Sequence, residues 1–127
     1  MHKRILPKLA DINYGEFILW LCRRRRRFRV TGISMQPTLN PGEEILIDPK
    51  AFQKRSPQIN DLVVTIHPQQ PDLEIVKRVS KIAKSDTGDR FFLLGDNLNH
   101  STDSRNFGLV TQKQIMGRVT TRFGFKN

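Results

Sequence analysis

The pattern of apolar and polar residues changes near residue 28. Before that point the apolar side chains follow a partial 3.6-residue period, at Leu9, Ile12, Phe17, Leu19 and Trp20. Such a period indicates a helix with one apolar face, and a glycine at position 15 limits its length. The sequence therefore predicts a short helix within residues 8–22.

From residue 28 onward, short runs of β-branched and aromatic residues alternate with turn-forming residues. Strands are predicted at 28–33, 44–48, 62–67, 74–82, 90–94 and 115–123, and turns at 40–42, 85–88 and 95–97. Several short strands at regular spacing are typical of an all-β sheet or barrel-like domain. The predicted fold class is therefore mainly β.

Length and composition indicate one ordinary globular domain. The chain has 127 residues, of which 37% are hydrophobic and 27% charged, which argues against disorder and against a membrane-embedded protein. The single cysteine, Cys22, excludes an internal disulfide framework and a cysteine-based zinc site. The three histidines, His2, His67 and His100, lack the spacing of metal ligands. No metal or other cofactor is expected.

The positive charge is concentrated at the N-terminus. The chain has a formal net charge of +10, and residues 1–29 contribute +7 of it with nine basic and two acidic residues. We therefore divide the chain into a basic N-terminal extension, residues 1–29, and a domain at residues 30–127. The arginine run predicts weak contact with an anionic membrane or with nucleic acid: Arg23, Arg24, Arg25, Arg26 and Arg27.

The N-terminal apolar run does not predict a membrane span. Residues 17–22 are six apolar residues, whereas a spanning helix needs about 20. Basic residues follow this run rather than precede it, unlike a secretory signal peptide. We expect a cytoplasmic protein, with its extension either packed on the domain or peripheral to a membrane. Few aromatic residues accompany the arginines, so dedicated nucleic-acid binding is not expected.

Three segments carry candidate chemistry. Ser34 lies where a predicted strand gives way to a Pro-containing turn, which can present a hydroxyl and a backbone N–H at the surface. A serine hydroxyl is a weak nucleophile without a base, and a lone serine in such a place is usually a turn residue. In the predicted strand 74–82, Lys77 shares a face with Ile75 and Val79.

Burial of that lysine on an apolar face would lower its pKa and fit it to accept a proton. The alternative is a lysine whose amine reaches water at the sheet edge. The third segment, residues 95–105, is a polar loop in which Asp103 and Arg105 could form an ion pair and Ser101 could orient a lysine amine. Taken alone, such a polar loop is usually only solvated.

Together the three segments resemble the S26 family of Ser/Lys peptidases, which includes bacterial type I signal peptidases and mitochondrial inner membrane proteases. Residues 34–39 are similar to the family segment Ser-Met-x-Pro-Thr-Leu, and Lys77 and Arg78 to its Lys-Arg. Residues 95–105 are similar to Gly-Asp-Asn-x-x-x-Ser-x-Asp-Ser-Arg. The spacer at 60–64 has Asn60 where the family usually has a glycine with positive φ.

The resemblance covers residues 30–119 and implies a signal peptidase/LexA-like β-sheet catalytic domain. It implies that Ser34 is the nucleophile and Lys77 the general base of an amide hydrolysis that needs no metal. Supporting and cleft-lining roles are implied for five further residues: Ser101 holds the lysine, Asp103 and Arg105 fix the loop, and Met35 and Pro37 line the substrate cleft.

The sequence also departs from the signal peptidase pattern. It has no spanning helix, no room for a large inserted β-domain, and no Pro-Gly-Asp after the Lys-Arg pair. Gly32 stands where some members have a hydroxyl donor to the oxyanion. A minimal member of this kind looks most like the nickel-type superoxide dismutase maturation proteases. That resemblance implies a precursor protein as partner, the nickel superoxide dismutase proenzyme, whose N-terminal propeptide is removed.

Three alternatives stay open at this point. One is signal peptidase-like processing of exported preproteins at the membrane surface. A second is a self-cleaving LexA-type regulator, although residues 1–29 contain neither an Ala-Gly nor a Cys-Gly cleavage site. The third is a binding module that uses the arginine run to hold nucleic acid or anionic lipid, and such binding would be strongly salt-dependent.

Overall fold

A computed structural model describes residues 5–124 of the chain. It contains two α-helices and seven β-strands, with three 3₁₀ turns between them. The helices are α1 (Tyr14–Leu21) and α2 (Ser104–Phe107). The strands are β1 (Arg26–Arg29), β2 (Glu44–Asp48), β3 (Leu62–His67), β4 (Gln70–Ala83), β5 (Arg90–Leu94), β6 (Val110–Thr111) and β7 (Ile115–Arg122).

The strands form one antiparallel sheet in the order β1-β2-β7-β3-β4-β5-β6. This confirms the predicted mainly β fold. Strand β4 is the longest, at 14 residues. Its first half pairs with β3 and its second half pairs with β5, and Arg78 is the residue that takes part in both pairings. Strand β1 and the first half of β4 each have one edge that pairs with no other strand of this sheet within residues 5–124. Ser34 follows β1 in the chain, and Lys77 lies on β4.

Each face of the sheet covers its own hydrophobic core, because side chains alternate along the strands. The first core cluster is Val30, Met35, Leu39, Ile45, Ile47, Leu62, Val64, Val76 and Val119. The second core cluster is Val63, Val79, Phe91, Leu93, Phe107, Val110 and Ile115, with Ile75 packed against it. The predicted face of Lys77 is confirmed, since Val79 belongs to the second core cluster and Ile75 packs against it.

Strands β2, β3 and β5 have the predicted bounds, but the N-terminal strand differs. Strand β1 begins at Arg26 and ends at Arg29, not at residues 28 and 33. Its pairing with β2 runs from Arg26 opposite Ile47 to Arg29 opposite Glu44. Shortly afterwards Gly32 adopts a positive φ of 73°, which turns the chain away from an extended strand.

The predicted helix is confirmed in shorter form as α1. The side chain of Asn13 caps it by accepting a hydrogen bond from the Glu16 N–H, and Arg23 ends it with a φ of 62°. No helix within residues 5–124 has the length and apolar character required to span a bilayer.

The arginine run contributes both to the sheet and to ion pairs. Strand β1 lies on the N-terminal side of the predicted boundary at residue 30, yet it is hydrogen-bonded into the sheet. Arg25 pairs with Glu16 at 2.9 Å, Arg26 with Glu74 at 2.8 Å, and Arg27 with Glu44. Three of the five arginines predicted to be available for anionic partners are therefore already neutralised by carboxylates of this chain.

Candidate active site

The structure brings the predicted serine and lysine into direct contact. The Nζ of Lys77 lies 2.8 Å from the Oγ of Ser34, across 43 positions of sequence. The second hydrogen-bond partner of the amine is the Oγ of Ser101 at 3.3 Å. A base within hydrogen-bond distance of a hydroxyl meets the geometric requirement for activating that hydroxyl as a nucleophile.

Burial tunes the lysine for this role. Lys77 lies on β4 opposite Val63 of β3, one residue before the pairing with β5 begins, and only 4% of its surface is exposed. Desolvation lowers the pKa of Lys77 from its ordinary value of 10.5, while the negative charge of Asp103 opposes that shift. The net direction is downward, which raises the fraction of neutral amine able to accept a proton near neutral pH.

Ser34 sits in a tight turn between β1 and β2. The turn is closed by a hydrogen bond from the Gln36 N–H to the Ile33 carbonyl at 3.2 Å. Asn97 holds it from the opposite loop: its N–H donates to the Ser34 carbonyl at 2.9 Å, and its side-chain amide donates to the Ile33 carbonyl at 3.1 Å. These contacts fix the backbone at Ser34 from two sides.

The Ser34 backbone also leaves a donor available. Among the hydrogen bonds of residues 5–124, the Ser34 N–H donates none. An unpaired backbone N–H beside a nucleophile is the group that stabilises the oxyanion of an acyl-transfer intermediate.

One buried carboxylate organises the loop at residues 95–105. The side chain of Asp103 accepts hydrogen bonds from the Ser101 hydroxyl at 2.8 Å, the Gly95 N–H at 3.0 Å and the Arg105 Nε at 2.9 Å. Burial alone would raise the pKa of Asp103, but these hydrogen bonds and one from the Arg105 N–H outweigh it and lower the pKa. The predicted ion pair is confirmed, and Asp103 also caps α2.

Gly95 permits the close approach of the segments. A Cβ at this position would lie 2.1 Å from the Ser101 Oγ and 2.7 Å from the Ser34 carbonyl oxygen, both well inside van der Waals contact. The nucleophile turn and the Ser101 loop can therefore meet here only because residue 95 has no side chain.

A second buried network escaped the sequence analysis. Arg78, on the opposite face of β4 from Lys77, pairs with Asp96 through two hydrogen bonds of 3.0 Å, and Asp96 accepts a hydrogen bond from Thr38 at 2.5 Å. This chain of contacts joins β4, the loop after β5 and the nucleophile turn. Arg78, Asp96 and Thr38 all belong to the motifs recognised in the sequence. Their pairing was not predicted, because Arg78 and Asp96 are 18 positions apart and Thr38 and Asp96 are 58 positions apart.

Arg78 also reaches two backbone carbonyls. It donates to the Asn60 carbonyl at 2.9 Å and to the Pro7 carbonyl at 3.1 Å. Asn60 has a φ of 77°, which agrees with its place in a spacer where the family usually has glycine. The segment before α1 is thus tied to the strand that carries the lysine.

The two residues predicted to line the substrate cleft differ in their exposure. Met35 is only 1% exposed and belongs to the first core cluster, because the turn directs its side chain inward. Pro37 is exposed and lines a cavity of about 640 Å³ together with Arg27, Arg122 and Phe123. Neither Ser34 nor Lys77 lines that cavity.

No histidine or cysteine side chain within the described part of the chain is hydrogen-bonded to Ser34, Lys77 or Ser101. Within residues 5–124 no group of three or more His, Cys, Asp or Glu side chains is arranged to hold a metal ion. Of the three histidines, His2 lies outside the described residues, and His67 contacts the Phe107 ring at 4.8 Å in the core.

An ion pair links the two free strand edges. Arg26 of β1 forms two hydrogen bonds with the Glu74 carboxylate of β4, at 3.0 and 2.8 Å. Strand β1 leads toward Ser34, and Glu74 precedes Lys77 by three residues on the same strand. The ion pair therefore joins the strand that leads toward Ser34 to the strand that carries Lys77.

The sequence matches a known family over nearly all of this architecture. A profile of the family described as signal peptidase, peptidase S26, matches residues 17–84 and 80–124. The chain belongs to the peptidase S26 family. The two matched stretches of the S26 profile together contain every residue of the Ser34–Lys77–Ser101–Asp103 arrangement.

The S26 relatives include subunits of mitochondrial inner membrane proteases. Subunit 1 of Xenopus tropicalis is 32% identical over 108 residues, which cover 72% of this chain and 65% of that protein. Subunit 1 of Schizosaccharomyces pombe is 32% identical, with 72% and 69% covered. Subunit 2 of Mus musculus is 31% identical, with 72% and 63% covered. The matched part of the chain spans about two thirds of the length of these relatives.

Proposed function

We propose that this protein is a serine endopeptidase of the signal-peptidase type, with Ser34 as nucleophile and Lys77 as general base. The observation that carries the proposal is the 2.8 Å contact between a nearly buried lysine amine and a serine hydroxyl. Membership of the S26 family supports the same chemistry.

The reaction starts with proton transfer from the Ser34 hydroxyl to the neutral amine of Lys77. The Oγ attacks the carbonyl carbon of the scissile peptide bond, and the Ser34 N–H stabilises the resulting oxyanion. The ammonium of Lys77 then donates its proton to the leaving amine, so that the C–N bond breaks and an acyl-enzyme ester remains on Ser34. Lys77 next deprotonates a water molecule, which hydrolyses that ester and restores the serine.

Ser101 and Asp103 position the base. The Ser101 hydroxyl donates to Asp103 and therefore offers its oxygen lone pairs to the Lys77 amine. This hydrogen bond, together with burial, restricts an otherwise flexible side chain to the orientation that faces Ser34.

The free edges of β1 and β4 suit an extended substrate. A peptide that adds between two strand edges gains main-chain hydrogen bonds from both, in the manner of β-strand addition. The scissile bond of such a peptide would lie at Ser34 and Lys77. The residues upstream of that bond would extend toward Arg26 and Glu74.

The names of the relatives favour processing of preproteins at a membrane surface as the physiological task, since they are inner membrane proteases. Removal of an N-terminal propeptide from nickel superoxide dismutase is the second candidate. It rests on the resemblance of the motifs to that group of maturation proteases.

Cleavage assays with a two-substrate panel test both candidates. The panel contains a secretory preprotein with small residues at the −3 and −1 positions and a nickel superoxide dismutase precursor. We expect the wild type to shorten the preprotein at one site, with Ser34→Ala and Lys77→Ala inactive. The exposed residues Ser56 and Lys113 supply matched controls, and Ser56→Ala and Lys113→Ala should cleave like the wild type.

The pattern of products decides between the candidates. Cleavage of the dismutase precursor alone would transfer the assignment to propeptide removal. Cleavage of neither substrate, or equal activity in the Ser34→Ala variant, would contradict the peptidase proposal itself.

A further inference from the structure

Helix α1 exposes its apolar face and turns its polar contacts toward the protein. Four large apolar side chains point outward, with exposed fractions of 82% for Tyr14, 38% for Phe17, 55% for Ile18 and 59% for Leu21. At 3.6 residues per turn these four positions fall within about 100° of the helix circumference. They form one continuous stripe, the outer face of α1.

The opposite side of the helix fixes it to the sheet. The Glu16 carboxylate accepts hydrogen bonds from Arg25 at 2.9 Å and from the Thr120 hydroxyl at 2.8 Å. Trp20 packs edge-on against Phe123, with ring centroids 4.7 Å apart. The orientation of α1 is therefore set by specific contacts, and the outer face is exposed as a consequence of them.

The apolar stripe of a usual amphipathic helix faces the core, whereas α1 packs Trp20 inward and leaves a second apolar stripe exposed. No residue of α1 is fully buried. An exposed stripe of this kind marks a surface that a partner or a lipid phase covers.

The charges beside the outer face identify the partner. Arg23 and Arg24 follow the C-cap of α1, Cys22, and are exposed, and within residues 5–124 neither forms an ion pair. Arg25, Arg26 and Arg27, by contrast, are neutralised by carboxylates. A stripe of aromatic and aliphatic residues with unpaired arginines at its end has the chemistry of an interfacial helix on an anionic bilayer.

We propose that the outer face of α1, with Arg23 and Arg24, docks the protein on the surface of an anionic lipid bilayer. The apolar side chains would enter the region between headgroups and acyl chains, and the two guanidinium groups would contact lipid phosphates. The helix would lie in the plane of the membrane. This proposal does not depend on the peptidase activity.

Vesicle flotation with the full chain tests the docking. The probes are phosphatidylcholine vesicles with and without about 30% phosphatidylglycerol, at low salt and at about 0.5 M salt. We expect the wild type to float with the anionic vesicles, weakly or not at all with the neutral ones, and less at high salt.

Two pairs of variants separate the contributions. Ile18→Ser with Leu21→Ser should lower the affinity for anionic vesicles at least about tenfold. Arg23→Gln with Arg24→Gln should lower it about 30-fold, from about fivefold for each basic residue near an anionic surface. Ile59→Ser and Arg90→Gln change exposed residues of the same types far along the chain and should leave binding unchanged.

Three results would overturn the proposal. The first is an absence of vesicle binding by the wild type. The second is binding that the arginine variants abolish but the apolar variants leave intact, because the contact would then be purely electrostatic. The third is self-association of the wild type in solution that the apolar variants relieve, which would assign the outer face to a second copy of this chain.

Discussion

The Lys77 amine contacts the Ser34 hydroxyl at 2.8 Å and approaches it from the face of β4 that covers the second core cluster. Lys77 is buried on the face of β4 that it shares with Ile75 and Val79, the residues that predict this face from the sequence. Packing and chemistry are therefore linked at this position, since the environment that excludes water from the amine also lowers its pKa.

Removing either member of this pair should abolish cleavage. We expect Ser34→Ala and Lys77→Met each to lower kcat by at least about 10³-fold, and the double variant to be no worse than either single one, because the two groups act as a unit. Steady-state kinetics with the preprotein as substrate measure kcat for each variant. Additive losses in the double variant would show that the residues act separately.

The pH profile should report the pKa of Lys77. Cleavage needs the neutral amine, so kcat/KM should rise as the pH increases through a pKa that lies below the ordinary value of 10.5. Asp103 raises the pKa of Lys77 by its charge, so Asp103→Asn should move this acidic limb to lower pH in whatever activity remains. A limb at the same pH in both proteins would argue against Lys77 as the titrating group.

The lowered pKa of Lys77 should also make the stability of the fold depend on pH. Because the pKa of Lys77 is lower in the folded state, the unfolded chain binds more protons between that pKa and 10.5. The contribution of Lys77 to the free energy of unfolding therefore becomes more favourable to folding as the pH rises across this window. The free energy of unfolding of Lys77→Met should therefore exceed that of the wild type. The difference should be largest at pH values below the folded-state pKa of Lys77 and smallest near pH 10.5.

Ser101 should affect turnover more than substrate binding. Ser101→Ala removes the hydroxyl that links the Lys77 amine to Asp103. We expect kcat to fall about 10- to 100-fold with little change in KM, as the loss of one hydrogen bond to a buried charged group implies. A purely structural role would lower the melting temperature and leave kcat of the folded fraction unchanged.

A single added carbon at residue 95 should disrupt the site. The Cβ of Gly95→Ala would collide with the Ser101 Oγ and the Ser34 carbonyl oxygen. We expect a loss of stability of about 1–3 kcal/mol from overpacking and a fall in kcat of about 100-fold from displacement of the nucleophile. Gly88→Ala is the control, because that position is open and distant: it should strain the backbone locally and leave kcat unchanged.

The Arg26–Glu74 pair should influence long substrates selectively. As an exposed ion pair it contributes less than about 1 kcal/mol to stability. If peptides add between β1 and β4, Arg26→Gln should change KM for substrates that extend several residues upstream of the scissile bond, and leave short peptides unaffected. Comparing KM for a peptide series of increasing upstream length measures this, and an equal effect at every length would contradict the proposed path.

The alternation of apolar and polar residues correctly predicted the strands whose ends are set by neighbouring turns. Strands β2, β3 and β5 begin and end where the alternation and the turn residues indicate. Helix α2 was missed because it has only four residues and depends on the buried Asp103 as its cap. A helix that short has no periodicity of its own to detect.

The site was predictable in its residues but not in its full set of contacts. The motifs identified Ser34, Lys77, Ser101, Asp103 and Arg105, and the structure brings all five together. The inward orientation of Met35 depends on the exact path of a turn. The network of Arg78, Asp96 and Thr38 depends on packing between distant segments, which a sequence pattern does not encode.

The exposed turn at residues 85–88, between β4 and β5, divides the site into two unequal parts. The longer part holds the nucleophile and the base, and the shorter part holds Ser101, Asp103 and Arg105. A chain opened at this turn would keep the reacting pair on one fragment and its supports on the other. The C-terminal fragment would then serve as an activator supplied in trans, and recovered cleavage would measure how well the two halves reassemble.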